Sequence, residues 1–210
     1  MPIYLALPVA FAIGLLAERL GWLRPGAAWS AGLVGGLPLW AGGVPAALAV
    51  IFFVVVGSVA SRLNPKSRDR SGRTSLQTLA NGLPAALGIA LGSPAFFLGA
   101  LATACADTLA SEVGARSRWA WHPLLGRVES GTNAAMSPAG TAALVIGPLL
   151  FVPWAVWLEV SPLSVVVAGI VGAFADTGWG LLEDRLEWWT NDLTNFLATA
   201  TGGLVALLLS

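Results

Sequence analysis

The tripeptide Ala-Asp-Thr occurs twice, at Ala106-Asp107-Thr108 and Ala175-Asp176-Thr177, each time inside a long apolar stretch. An ionised Asp near the centre of a bilayer costs about 2.5–3.5 kcal/mol on insertion scales, so a membrane segment that carries one is expected to use it. Asp107 and Asp176 are therefore the first candidates for a site. After Asp176, the residues Gly180, Glu183 and Glu187 follow at helical offsets, which predicts three carboxylates along one stripe, able to hold a divalent ion. After Asp107, Ser111 shares its face, whereas Glu112 lies roughly 140° around an ideal helix. Glu112 reaches the same ligand only if the helix ends or unwinds near Ser111. The common motif leads to the expectation that Asp107 and Asp176 share one metal cluster, with Glu112 and Glu183 completing its rim.

A second constellation is the stretch from Ser130 to Thr141, Ser-Gly-Thr-Asn-Ala-Ala-Met-Ser-Pro-Ala-Gly-Thr. Ser137 suits an N-cap and Pro138 a first helical turn, so a helix should begin here with free backbone N–H groups and the positive end of its dipole. Such helix starts bind phosphate. Gly131 and Gly140 permit close approach, and Thr132, Asn133 and Thr141 offer neutral hydrogen-bonding groups; an ordinary capped loop is the other reading. Asn191, Thr194, Asn195, Ala198 and Gly202 form a polar and small-residue stripe that also suits helix packing in lipid. The basic run from Arg62 to Arg73 precedes Asn81-Gly82, a break at the mouth of a segment. Most of those arginines read as topology determinants or headgroup contacts, with one or two left to bind phosphate. His122, within Trp119-Ala-Trp121-His122-Pro123, reads as interfacial, and Cys105 as a packing residue. A single Cys excludes an intramolecular disulfide and, without companions, a zinc site.

The elements that must position these groups follow from composition. Of 210 residues 56% are hydrophobic and only 10% charged, with 25 Gly and 13 Pro, the profile of a polytopic membrane protein. Met1 to Ala17 carries no Lys or Arg, so the first segment reads as a retained helix rather than a secretory signal. Lys plus Arg and Asp plus Glu balance at 11 each, and nothing in that balance points to nucleic acid. Apolar runs predict an all-α transmembrane bundle of eight segments in a single domain, near 3–20, 27–41, 44–61, 76–91, 94–113, 138–158, 162–182 and 191–209. The second and fourth fall short of the roughly 20 residues that a span needs, which suggests one or two broken or re-entrant helices. With both termini outside, every Lys and Arg falls on one side, the cytoplasmic side by the positive-inside rule. Asp107 and Asp176 then sit on helices that run in the same direction, so any internal repeat is parallel.

These pieces in this order resemble an integral membrane family catalogued as domain of unknown function number ninety-two, whose members include the plant phytyl-phosphate kinases. The likeness is carried by Arg73 to Gly82, Ala106 to Gly114, Gly131 to Thr141, and Gly169 to Asn195. Two stretches depart from the family's pattern. A Val/Leu-Asp-Ser-x-x-Gly-Ala motif reads Ala-Asp-Thr-Gly-Trp-Gly-Leu around Asp176, and Thr132 to Ser137 stands where a Gly-Gly-Val-Ser pattern is expected. The resemblance implies transfer of a phosphoryl group from a nucleoside triphosphate, with CTP a candidate, onto an isoprenyl monophosphate, giving the diphosphate. It implies catalytic roles for Asp107 and Asp176, and magnesium held by Asp107, Glu112, Asp176 and Glu183 with phosphate oxygens. Substrate contacts fall to Arg73, Asn81, Ser111, Gly131, Thr132, Asn133, Ser137, Thr141, Asn191 and Asn195. The expected partners are an isoprenyl phosphate lipid and membrane lipids in the cytoplasmic membrane of a bacterium or archaeon. A secondary transporter that uses the same carboxylates is the competing reading.

Overall fold

The computed structural model describes residues 1–183 and 185–210. In chain order the elements are α1 (Ile3–Arg19), α2 (Ala28–Ala41), α3 (Gly43–Leu63), α4 (Ser75–Ala90), α5 (Pro94–Gly114), β1 (Ala120–His122), β2 (Gly126–Val128), α6 (Pro138–Leu149), α7 (Val152–Trp157), α8 (Pro162–Gly180) and α9 (Asn191–Leu208). Three helices open on a Ser-Pro pair, where the hydroxyl takes an orphan N–H and the proline occupies the first turn. Ser93 Oγ accepts from Phe96 N at 3.2 Å, Ser137 Oγ from Gly140 N at 3.0 Å and Ser161 Oγ from Ser164 N at 3.4 Å. α4 opens on a capping box, in which Gln77 N donates to Thr74 Oγ1 at 3.2 Å and Thr74 N donates to Gln77 Oε1 at 2.8 Å.

The predicted all-α bundle is present, and its expected segments fall on these helices with two differences. The sixth is divided into α6 and α7, while the short second and fourth are continuous helices of 14 and 16 residues. Pro153 has no N–H to return to Leu149, so the apolar run cannot continue as one regular helix through this point. The seventh ends at Gly180 rather than running on to residue 182. Four stretches, Gly43–Leu63, Pro94–Gly114, Pro138–Trp157 and Pro162–Gly180, are long and apolar enough to cross a membrane.

α5 is the axis of the bundle, packed by α3, α4, α6, α8 and α9, and its run from Phe97 to Ala106 is buried throughout. Small residues bring its neighbours close: a Cβ on Gly147 of α6 would stand 2.7 Å from the Ala106 Cα, and one on Gly99 2.6 Å from the Gly202 carbonyl oxygen. Leu91, Leu163 and Leu208 face outward, as side chains against lipid do. At one end the connecting segments tie together. Leu23 bridges Arg73, Asn64 reaches Glu112, and Asn133 Nδ2 donates to the Gly180 carbonyl at 2.9 Å. These segments carry the Lys and Arg clusters, so this is the basic end of the molecule.

Candidate functional site

A cavity of about 1080 Å³ opens at the basic end, walled by α4, α5, α8, α9 and the loop that precedes α6. The residues to which the resemblance gives catalytic, metal or substrate roles line it except Thr141, whose hydroxyl instead donates to the Ser137 carbonyl at 3.0 Å. The reason is local. A Thr one turn into a helix bonds back to its own cap.

Asp107 and Asp176 lie in its wall, with their carboxyl groups close enough to share a proton. Asp176 Oδ1 is buried and has no hydrogen-bond partner among the described residues. Two carboxyl groups this close favour a proton or a cation between them, because two bare negative charges at short range repel each other. Glu183 also lines the cavity, near enough for its charge to act on both aspartates.

The predicted acidic stripe does not form on one helix. α8 stops at Gly180, Glu183 sits in the following turn with its N–H on the Gly180 carbonyl at 3.1 Å, and Glu187 is exposed away from the cavity. Glu112 also departs from expectation. α5 runs unbroken through Gly114, so the unwinding that would turn Glu112 toward Asp107 does not occur. Its carboxylate is held by three donors instead: Ser61 Oγ and Ser67 Oγ reach Oε1, and Asn64 Nδ2 reaches Oε2, each at 2.7 Å. Among the described residues no three of His, Cys, Asp and Glu gather as a metal-binding group, so the four-carboxylate cluster is reduced to the aspartate pair with Glu183 beside it. That pair fits a hard divalent cation in donor chemistry, two carboxylates with one oxygen unengaged, provided that a ligand supplies further oxygens.

The loop before α6 is built for shape. Ser130 Oγ donates to the Gly114 carbonyl at 2.6 Å, and the Ser137 hydroxyl donates to the same carbonyl at 3.3 Å while capping α6. Asn133 accepts from Ala134 N at 2.9 Å through Oδ1 and fastens the loop to α8 through its amide. Thr132 Oγ1 donates to the Glu129 carbonyl at 2.7 Å, and Gly131 adopts φ +94° with open space around it. His122 is buried, its Nδ1 accepting from Leu124 N and Leu125 N at 3.1 Å, so it closes the β1–β2 turn. Asn191 and Asn195 of α9 also line the cavity, as does Asn81 of α4, whose amide donates to the Gln77 carbonyl at 3.0 Å.

Sequence reasoning missed several lining residues. Asp69 accepts from Gln77 Nε2 at 2.8 Å, and Thr108 accepts from Arg73 Nη2 at 3.3 Å. Asp192 and Trp189 complete the mouth, the indole of Trp189 donating to Thr194 Oγ1 at 2.9 Å. Thr108 was visible as the last member of the repeated tripeptide. Burial pulls the Arg73 guanidinium below its ordinary value, while the charges of Asp69 and Glu112 oppose the effect.

Fold and site together define an integral membrane protein with a one-sided polar cavity and a carboxylate pair in its wall. The chain belongs to the integral membrane protein DUF92 family, matching it over residues 8–203. It is similar to an uncharacterized membrane protein of Methanocaldococcus jannaschii, MJ0933, at 29% identity over 181 residues, which cover 77% of this chain and 75% of that one. No solved structure matches the chain.

Proposed function

We propose that the protein transfers a phosphoryl group from a nucleoside triphosphate, with CTP a candidate donor, to an isoprenyl monophosphate at the basic face of the membrane. The observation that carries this reading is the Asp107–Asp176 pair in the wall of a polar cavity that opens to one end only. Phosphoryl transfer asks a protein chiefly to position two phosphates and to neutralise their charge. Asp107 and Asp176 would hold magnesium, which when bound supplies charge neutralisation to phosphate oxygens. Asn81, Ser111, Asn191 and Asn195 offer neutral contacts to a polar ligand, and a cavity of about 1080 Å³ has room for two reactants. A lipid phosphate presents its head at the interface while its chain stays among the helices.

Position favours an enzyme over a transporter. Asp107 lies seven residues, about 10 Å, from the basic end of α5, and Asp176 four residues, about 6 Å, from that of α8. Among the described residues none of the lining comes from the turns at Gly42, Gly92 or Ser161 at the other end. Alternating access would need a route to both faces.

The test is protein reconstituted in liposomes with magnesium, a panel of nucleoside triphosphates and short prenyl monophosphates, with the prenyl diphosphate detected directly. Product that depends on magnesium and is lost in Asp107→Asn and Asp176→Asn supports the reading. Flux of ions or lipid phosphate without product replaces it with transport. The basic end is cytoplasmic in this proposal, so reporter cysteines at Pro2 and Arg68, in a chain with Cys105 replaced, should label from opposite faces.

A further inference from the structure

Arg73 is set apart from the other basic residues by its seat. It is 8% exposed, and its backbone is pinned on both sides: Arg73 N donates to the Trp22 carbonyl at 3.0 Å and its own carbonyl accepts from Arg24 N at 2.9 Å. The guanidinium carbon stands 5.0 Å from the centroid of the Phe53 ring on α3. One helical turn further along α3, Gly57 leaves the space that the guanidinium fills, since a Cβ there would collide with both terminal nitrogens. A side chain given a ring, a notch and a fixed backbone is held in one place.

A guanidinium carries five N–H donors and no acceptor. Arg73 makes one side-chain hydrogen bond to a described residue, the 3.3 Å bond to Thr108, the residue after Asp107 on α5, and both Arg73 and Asp107 line the cavity. The two carboxylates whose charges act on it most have other partners: Asp69 Oδ1 accepts from Gln77 Nε2, and both oxygens of Glu112 take donors from α3 and the loop after it. A buried cation with donors left over, in the lining of a polar cavity that also holds a carboxylate pair, calls for a multivalent anion with several acceptor oxygens.

We infer that Arg73 is the phosphate receptor of this cavity, held by Phe53 and Gly57 so that its fork meets a phosphate group lying beside the Asp107–Asp176 pair. The ligand class is a phosphate ester, carried by either the lipid monophosphate or the nucleotide. This deepens the proposed function and rests on it only for the choice between those two sources. It also gives Gly57, which does not line the cavity, a positioning role through Arg73.

The experiment measures binding to detergent-purified protein, with magnesium present, of three probes: inorganic phosphate, a short prenyl monophosphate and a nucleoside triphosphate, with the matching prenol as an uncharged control. Variants are Arg73→Gln, Arg73→Lys and Gly57→Ala, each checked by size-exclusion profile and thermal melt. The expected result is that Arg73→Gln weakens one ester probe by about tenfold or more, Arg73→Lys weakens it less, and binding of the prenol is unchanged. Gly57→Ala, which displaces the fork without removing its charge, should weaken the same probe. The probe affected identifies the source. Folded Arg73→Lys and Gly57→Ala proteins that bind both ester probes as the wild type does would overturn the inference, as would a wild-type protein that binds none. Turnover to prenyl diphosphate at wild-type rate and affinity in these variants would remove the Arg73 subsite and leave the kinase reading standing. Arg73-dependent phosphate binding without any turnover would do the reverse.

Discussion

The two Ala-Asp-Thr segments start alike and end differently. On α5 and α8 the aspartates come together in one wall, because both helices run toward the same end and pack side by side. Beyond them the helices part. α5 continues to Gly114, and the buried Glu112 carboxylate is taken up by Ser61, Asn64 and Ser67, whereas α8 stops at Gly180 and Glu183 lines the cavity from the turn that follows. The same local motif therefore yields a shared carboxylate pair, while the acidic residue downstream is structural on one helix and close to the site on the other. Helix length decides which.

The largest effects should come from the shared part. Asp107→Asn and Asp176→Asn keep the shape and remove a charge, and each should lower magnesium-dependent prenyl diphosphate formation on the order of 10³-fold in the liposome assay while the protein still inserts and purifies. The comparison sharpens at the two glutamates. Glu183→Gln should raise the magnesium concentration for half-maximal activity by about tenfold, as loss of an outer carboxylate does. Glu112→Gln should do the opposite. It sets an amide N–H against donors already in place, costing about 1–3 kcal/mol of stability, read as a lower melting temperature with the magnesium dependence intact. If Glu112→Gln shifts the magnesium dependence and Glu183→Gln does not, the contrast is reversed.

Smaller effects belong to the loop. Asn133→Ala cuts the bond to the Gly180 carbonyl and should cost about 1 kcal/mol, most visibly as faster proteolysis of the 129–137 segment. Thr141→Ala should stay within about 0.5 kcal/mol of wild type and leave substrate binding unchanged, because its hydroxyl serves only the first turn of α6.

What the sequence disclosed depended on range. Ser-Pro pairs, apolar runs and the one-sided Lys and Arg pattern are local signals, and the helices begin where those signals stand. The division of the sixth segment was written in Pro148 and Pro153, but the uninterrupted apolar run from Leu149 to Val152 masked it. The aspartate pair was legible because its motif is repeated. Glu112 was not, since its partners Ser61, Asn64 and Ser67 stand 51, 48 and 45 residues away and become neighbours only when α3 packs on α5. Arg73 looked like any other member of a basic run. Phe53 and Gly57, buried on another helix, single it out.

The central claim is that Asp107 and Asp176 act as one unit in a phosphoryl transfer. It is tested most directly by measuring prenyl diphosphate formation, under one set of magnesium, nucleotide and prenyl phosphate concentrations, for the wild type, Asp107→Asn, Asp176→Asn and the double variant. The account predicts product from the wild type and a loss in each single variant about as deep as in the double, because removing either half of a shared site removes its function. Independent losses that multiply in the double variant, or a single variant that retains the wild-type rate, would contradict it.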